Sequence, residues 1–223
     1  MTGEDVRARL VDVFARLHEE FGPRCWWPAE TPFEVCVGAI LTQNTNWRNV
    51  EKAIANLKGE RLLSPEAIRD IEVHQLAAVI KPAGFFNVKA LRLKEFVVFL
   101  WERYDGDLER MFKVDWMELR RELLAVRGIG PETCDSILLY AGHKPTFVVD
   151  AYTRRIFSHL GLIEPAASYE EIRSYFMSNL PEDVKLFNEY HALIVEHAKT
   201  YCRSNPRCTG CPLLAECPPL LRH

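Results

Sequence analysis

Apolar residues along this chain recur at intervals of three and four, and almost nowhere at intervals of two. That spacing predicts helices over Val6–Leu17, Pro32–Thr42, Val50–Leu57, Pro65–Ile71, His74–Ile80, Val88–Trp101, Trp116–Ala125, Pro131–Tyr140, Tyr152–Leu160, Tyr169–Leu180 and Leu186–Lys199. Helix breakers fall between these segments: Gly59, Gly84, Gly106, Gly128, Gly142, Gly161 and Pro181. Only "PTFVVD" reads as β, and it is too short to build a sheet. The predicted class is all-α.

With 223 residues, 48% of them hydrophobic, the chain fits one large domain or two small lobes sharing a core. A net charge of -3 offers no global basic field, so any contact with a polyanion depends on local positive charge. No apolar run approaches the ~18 residues of a membrane span. The N-terminal "MTGEDVRARLVDVFARLHEE" is amphipathic and has no signal-peptide core, which points to the cytoplasm.

Near the C-terminus, "CRSNPRCTGCPLLAEC" holds Cys202, Cys208, Cys211 and Cys217. Four thiols so close, without a secretion signal, argue for metal rather than disulfides. One Cys-x-x-Cys flanked by single cysteines makes a compact loop around one centre. It suits a [4Fe-4S] cluster better than the two separated knuckles common for zinc, with structural zinc as the alternative. Cys25, Cys36 and Cys134 sit in apolar surroundings and read as packing residues.

In "LLAVRGIGPETCDSILLYA", Gly128 and Gly130 permit a tight hairpin with outward N–H groups, and Pro131 starts the next helix where its missing N–H costs nothing. Exposed amides beside a helix N-terminus can bind phosphate, although an ordinary helix–helix turn would look alike. Further on, Asp150 in "VVDAYTRR" is a natural helix N-cap. A helix N-terminus also keeps a carboxylate ionised, so Asp150 suits capping, catalysis or both.

Hairpin, "GHKPTFVVD" and four-cysteine loop, in that order, resemble the helix-hairpin-helix DNA glycosylases similar to endonuclease III. The resemblance spans nearly the whole chain. It implies two helical lobes with a DNA cleft between them, residues 30–136 forming a helical-barrel lobe and residues 1–29 with 137–223 the other. It implies double-stranded DNA with a damaged base as substrate, a monomer, and catalysis by Asp150. The family's cysteine loop supports the cluster, although Cys-x5-Cys-x2-Cys-x5-Cys is one residue shorter in its first interval than in endonuclease III. Members that cut the strand carry Lys in a Gly-x-Gly-x-Lys pattern; here that position is Glu132, which cannot form a Schiff base. The expectation is a monofunctional enzyme using water, with Glu132 either receiving the extruded base or acting as a favourable first-turn acid.

"CWWPAETPFEVCVGAILTQNTNWRNV" further resembles the 3-methyladenine DNA glycosylase III branch. That resemblance implies a base pocket with Trp26 or Trp27 and Pro28 on one side and Trp47 on the other, favouring cationic alkylated purines by cation–π attraction. It places Gln43 as an intercalating residue, and "KPAGFFNVKALRLK" resembles the loop of a second wedge, Phe85, unless that ring is core. Lys89, with Arg92 and Lys94, is a candidate to hold phosphate, as are Arg203 and Arg207 in the basic segment 199–223, with a solvated surface role as the alternative for each. Excision of a damaged or mismatched pyrimidine and a non-catalytic DNA-binding module remain the alternatives.

Overall fold

The computed structural model describes residues 3–24, 27 and 29–217, and every regular element among them is helical. In chain order these are α1 (Gly3–Phe21), α2 (Pro32–Leu41), α3 (Trp47–Gly59), α4 (Pro65–Asp70), α5 (Val73–Val79), a 3-10 turn (Lys81–Ala83), α6 (Phe86–Tyr104), α7 (Leu108–Lys113), α8 (Trp116–Ala125), α9 (Pro131–Ser136), a π-helical turn (Ile137–Ala141), α10 (Ala151–His159), α11 (Tyr169–Asn179) and α12 (Val184–Thr200). Among the described residues no helix is long and apolar enough to cross a membrane.

The predicted helices are all present, and α7 is added. Its six residues bury only Met111, too little to register as a period. Asp107 starts it by accepting from the Glu109 and Arg110 amides. The same device recurs at Thr31, Asn46, Ser64, Asp115, Asp183 and, with a full capping box to Glu171, Ser168. "PTFVVD" is an extended, non-helical segment that buries Phe147, Val148 and Val149. Its continuous apolar run serves burial rather than strand pairing.

The chain divides into two compact units, Trp27–Lys144 on one hand and Met1–Trp26 with Pro145–His223 on the other. In Trp27–Lys144 the central element is α2. Nine of its ten residues, Phe33–Leu41, are buried. A helix apolar on every side must be enclosed, and α3, α6, α9 and the π-helical turn pack around it.

In the other unit α1, α10, α11 and α12 pack together. Their core is aromatic. Phe147 and Phe176 stack with centroids 4.0 Å apart, while Phe157 meets Phe176 edge-on at 4.7 Å. Tyr190 lies against Phe147, Phe157 and Phe176, and its buried hydroxyl donates to the Leu10 carbonyl at 2.7 Å. This cluster is the aromatic part of a fully buried core. Phe176→Ala should lower the unfolding free energy by about 3–5 kcal/mol, measured by urea denaturation, because a fully buried ring leaves a cavity its rigid neighbours cannot fill.

Candidate functional site

Within Trp27–Lys144, the loop between α8 and α9 forms the hairpin. Gly128 has φ +92°, and a Cβ there would lie 2.4 Å from Cγ of Arg92, so both backbone and space demand glycine. Gly130 differs: it caps α9 at φ -88° with nothing near a Cβ. Its bareness leaves the start of α9 uncovered rather than relieving strain. Arg120 clasps the fully buried Asp135 through two hydrogen bonds of 2.8 and 2.9 Å, tying α8 to α9.

Gln43 is bound into this hairpin. Its Nε2 donates to the Gly128 carbonyl at 3.0 Å and to Thr133 Oγ1 at 2.9 Å, while its Oε1 accepts from Arg92. Gln43, expected as an intercalating residue, is engaged here through both amide donors and its carbonyl, tying the end of α2 to the hairpin and to Arg92.

Trp27, Trp47 and Tyr140 form one aromatic group. Trp27 meets Trp47 nearly perpendicularly with centroids 4.9 Å apart, and Tyr140 lies 5.0 Å away, tilted. Gly38 of α2 makes room for them, since a Cβ there would come within 3.3 Å of Trp27 and 3.6 Å of Trp47. The expected placement of Trp27 and Trp47 on opposite sides of a base is not what these rings form, because they pack on each other. Trp26 and Pro28, the other expected pocket residues, lie outside the described residues.

Phe85 is not core: its side chain is 69% exposed, and its φ of +44° is rare for a bulky residue. Lys89, expected at a phosphate, is corrected to a buried residue at 1% exposure. Its Nζ donates to the Leu41 carbonyl at 2.9 Å and to the Ala83 carbonyl at 2.7 Å, so the ammonium faces the protein interior. Burial, and then Arg92 nearby, lower its pKa to about 8. Glu132 sits exposed in the first turn of α9.

In the unit formed by Met1–Trp26 and Pro145–His223, Asp150 caps α10. Its Oδ1 accepts from the Thr153 amide at 2.7 Å and from the Thr153 hydroxyl at 3.0 Å. Its Oδ2 lies 3.5 Å from Nε2 of His191 on α12. Burial alone would raise the Asp150 carboxyl, but His191 and the two bonds from Thr153 outweigh it and hold the group below the usual carboxylate range.

The same unit carries the cysteine loop. Cys202, Cys208, Cys211 and Cys217 line one cavity of about 30 Å³, together with His159 and His197. Cys202 Sγ is 3.6 Å from His159 Nδ1, and Cys211 Sγ is 3.9 Å from His197 Nε2. Arg155 on α10 grips the Cys202 carbonyl through Nε and Nη2, at 2.9 and 2.5 Å, and Leu213 plugs the loop into the core. Among the described residues no group of three or more His, Cys, Asp or Glu is gathered around a point tightly enough to hold a single ion. The cavity is of order two water-sized volumes. Burial pushes the Cys211 thiol up to about 11 and raises Cys202 as well, so thiolates would coexist here only around a cationic centre. Four soft donors around one apolar-walled space fit an iron–sulfur cluster.

Several residues of these sites carried no local signal. His191 stands 41 positions beyond Asp150 on an unremarkable amphipathic helix. Gly38 and Tyr140 read as ordinary helix positions. For Arg92, the clue was Gly128 itself: a glycine needed for close approach implies something that approaches.

Residues 37–182 match the model of the HhH-GPD superfamily of base excision DNA repair proteins. Over 210 residues the chain is 51% identical to a Methanocaldococcus jannaschii protein described as a DNA repair glycosylase, covering 93% of this chain and 95% of that one. The fold is similar to that of endonuclease III in a non-covalent DNA complex, with TM-score 0.82, 22% identity, and 95% and 94% of the two chains covered. It is also similar to the 3-methyladenine DNA glycosylase of H. pylori bound to 1,N6-ethenoadenine, with TM-score 0.73, 29% identity, and 89% and 98% covered. The chain belongs to the HhH-GPD superfamily and is an endonuclease III-like DNA glycosylase of base excision repair.

Proposed function

We propose that the protein is a monofunctional glycosylase that flips a damaged base from duplex DNA and hydrolyses its N-glycosidic bond, with alkylated purines such as 3-methyladenine as substrates. The observation that carries this reading is Asp150: a half-buried carboxylate kept ionised by Thr153 and His191. A fixed negative charge can stabilise the positive charge that develops at C1′ and orient water for attack. Glu132 stands where strand-cutting relatives are expected to carry Lys and offers no amine for an imine. The Lys89 amine is turned onto two carbonyls and is no substitute.

The aromatic residues support the substrate class. Trp27 and Trp47 would offer π-faces to a cationic purine, whose glycosidic bond is weakened and needs no strong acid. The similarity to the H. pylori 3-methyladenine enzyme supports the same class. Phe85 would fill the gap left by the flipped base, and the amides of the Gly128–Gly130 hairpin would hold phosphate. A damaged or mismatched pyrimidine is the second reading. It stands because Trp27 packs edge-to-face on Trp47 and the pair forms no parallel slot about 7 Å wide, twice a contact distance, that would select a cationic purine. Cys202, Cys208, Cys211 and Cys217 would bind a [4Fe-4S] cluster that cross-links the C-terminal loop.

Duplexes each carrying one lesion test substrate and mechanism together. Release of 3-methyladenine with strands left intact until alkali is added supports the first reading. Release of uracil or mismatched thymine, with alkylated purines untouched, establishes the second, and a borohydride-trapped enzyme–DNA adduct overturns the monofunctional assignment.

Asp150→Asn retains shape and most of the capping but removes the charge. Single-turnover excision should fall by on the order of 10²-fold or more, with folding and DNA affinity nearly unchanged. Parental excision by this variant would make Asp150 a helix cap only.

Anaerobically purified protein should contain iron and inorganic sulfide in equal amounts and show a broad visible absorption band. Stoichiometric zinc without iron would refute the cluster.

A further inference from the structure

The buried Lys89 has no part in the chemistry proposed above, and its contacts are specific. Leu41 is the last residue of α2, and its carbonyl is one that the helix itself leaves unsatisfied. Ala83 ends the 3-10 turn Lys81–Ala83. A single ammonium, itself 1% exposed, joins these two carbonyls. Two residues after Leu41 comes Gln43, bound to the hairpin; two residues after Ala83 comes Phe85.

The Phe85 loop needs such an anchor. Gly84 has φ +69° and ψ 162°, a conformation essentially restricted to glycine. Phe85 follows in the left-handed region and begins α6 without a side-chain cap. Nothing apolar repays this strain, because the ring is 69% exposed. Beside it Val88 and Leu91 are 46% and 53% exposed, extending the apolar surface along the first turns of α6. Strain at an outward aromatic ring persists only where surrounding contacts over-determine it.

We propose that Lys89 is a positioning residue that mounts Phe85 as a preformed apolar wedge for the gap in damaged DNA, by clamping its turn to the end of α2. The proposal rests on the base-flipping reading for the wedge, but not on which base is excised or on catalysis by Asp150. The clamp removes the ordering that a flexible loop would undergo on insertion.

The test uses the full-length protein and a duplex with a tetrahydrofuran abasic analogue opposite 2-aminopurine, whose fluorescence rises when its stacking is broken. The parental protein should produce that rise, and Phe85→Ala should abolish it. Lys89→Met should reduce the amplitude by about half or more, as expected for losing a buried, charged hydrogen-bond donor. Adding Lys89→Met to Phe85→Ala should change nothing further. Lys89→Gln, which keeps a donor, should fall between Lys89→Met and the parent, and it carries the test if the Met variant does not fold. Full amplitude in folded Lys89→Met, even with a lowered melting temperature, would reduce Lys89 to core packing and overturn the proposal. No rise with the parental protein would overturn the wedge itself. Excision by Lys89 variants from single-stranded lesion DNA reports on the glycosylase reading separately.

Discussion

Helix α2 has no polar face, and the unit Trp27–Lys144 is built around that fact. With Phe33–Leu41 all buried, the helix is stable only when enclosed, and α3, α6 and α9 supply the enclosure. Enclosure leaves few exits for backbone polarity at its C-terminal end. The Leu41 carbonyl goes to Lys89, and the chain turns through Thr42 to Gln43, whose amide is taken up by the hairpin. At mid-helix, Gly38 supplies the one break in side-chain cover, and Trp27 and Trp47 close over it. A hydrophobic constraint thus decides where Lys89, Gln43, Trp27 and Trp47 are mounted.

The other unit solves a different problem, how to keep a carboxylate charged while removing it from water. Desolvation of Asp150 is unfavourable to the anion, and an isolated group would become protonated instead. Thr153, within the same helix turn, supplies two donors, and His191 on α12 approaches the other oxygen. The aromatic core under α10, α11 and α12 holds those elements in place. Glu132 shows the contrast in position: it also sits in a first helical turn, but on the exposed side of a six-residue helix.

Conformational strain is concentrated at sites where backbone or side chains face outward. Gly128 needs its positive φ because Arg92 crosses it; Phe85 is held in the left-handed region while its ring is exposed. Both belong to the network around α6, where Lys89 and Arg92 lie three residues apart: Lys89 binds the end of α2 and the turn before Phe85, and Arg92 binds Gln43. Lys89 binds backbone carbonyls alone, whereas Arg92 acts through the Gln43 side chain, whose amide in turn reaches the Gly128 carbonyl and Thr133.

The sequence by itself determined the all-α class, most helix boundaries, the Asp150 cap and the four-cysteine loop. These are written in local spacing, caps and breakers, which act over a few residues. It missed α7, whose single buried Met111 makes no period. It also could not say which way a side chain faces when either direction is chemically sensible. Lys89 among "VKALRLK" looks like a surface cation, and only the arrival of Leu41 and Ala83 carbonyls makes burial of its ammonium favourable. Gln43 was legible as a polar residue after an apolar helix, but its engagement depends on Gly128, Thr133 and Arg92, which come from distant parts of the chain. Phe85 was balanced between core and surface until the left-handed turn directed it outward. Tertiary structure decided these cases because burial and hydrogen-bond satisfaction depend on groups separated by tens of residues, and no local pattern encodes which of them meet.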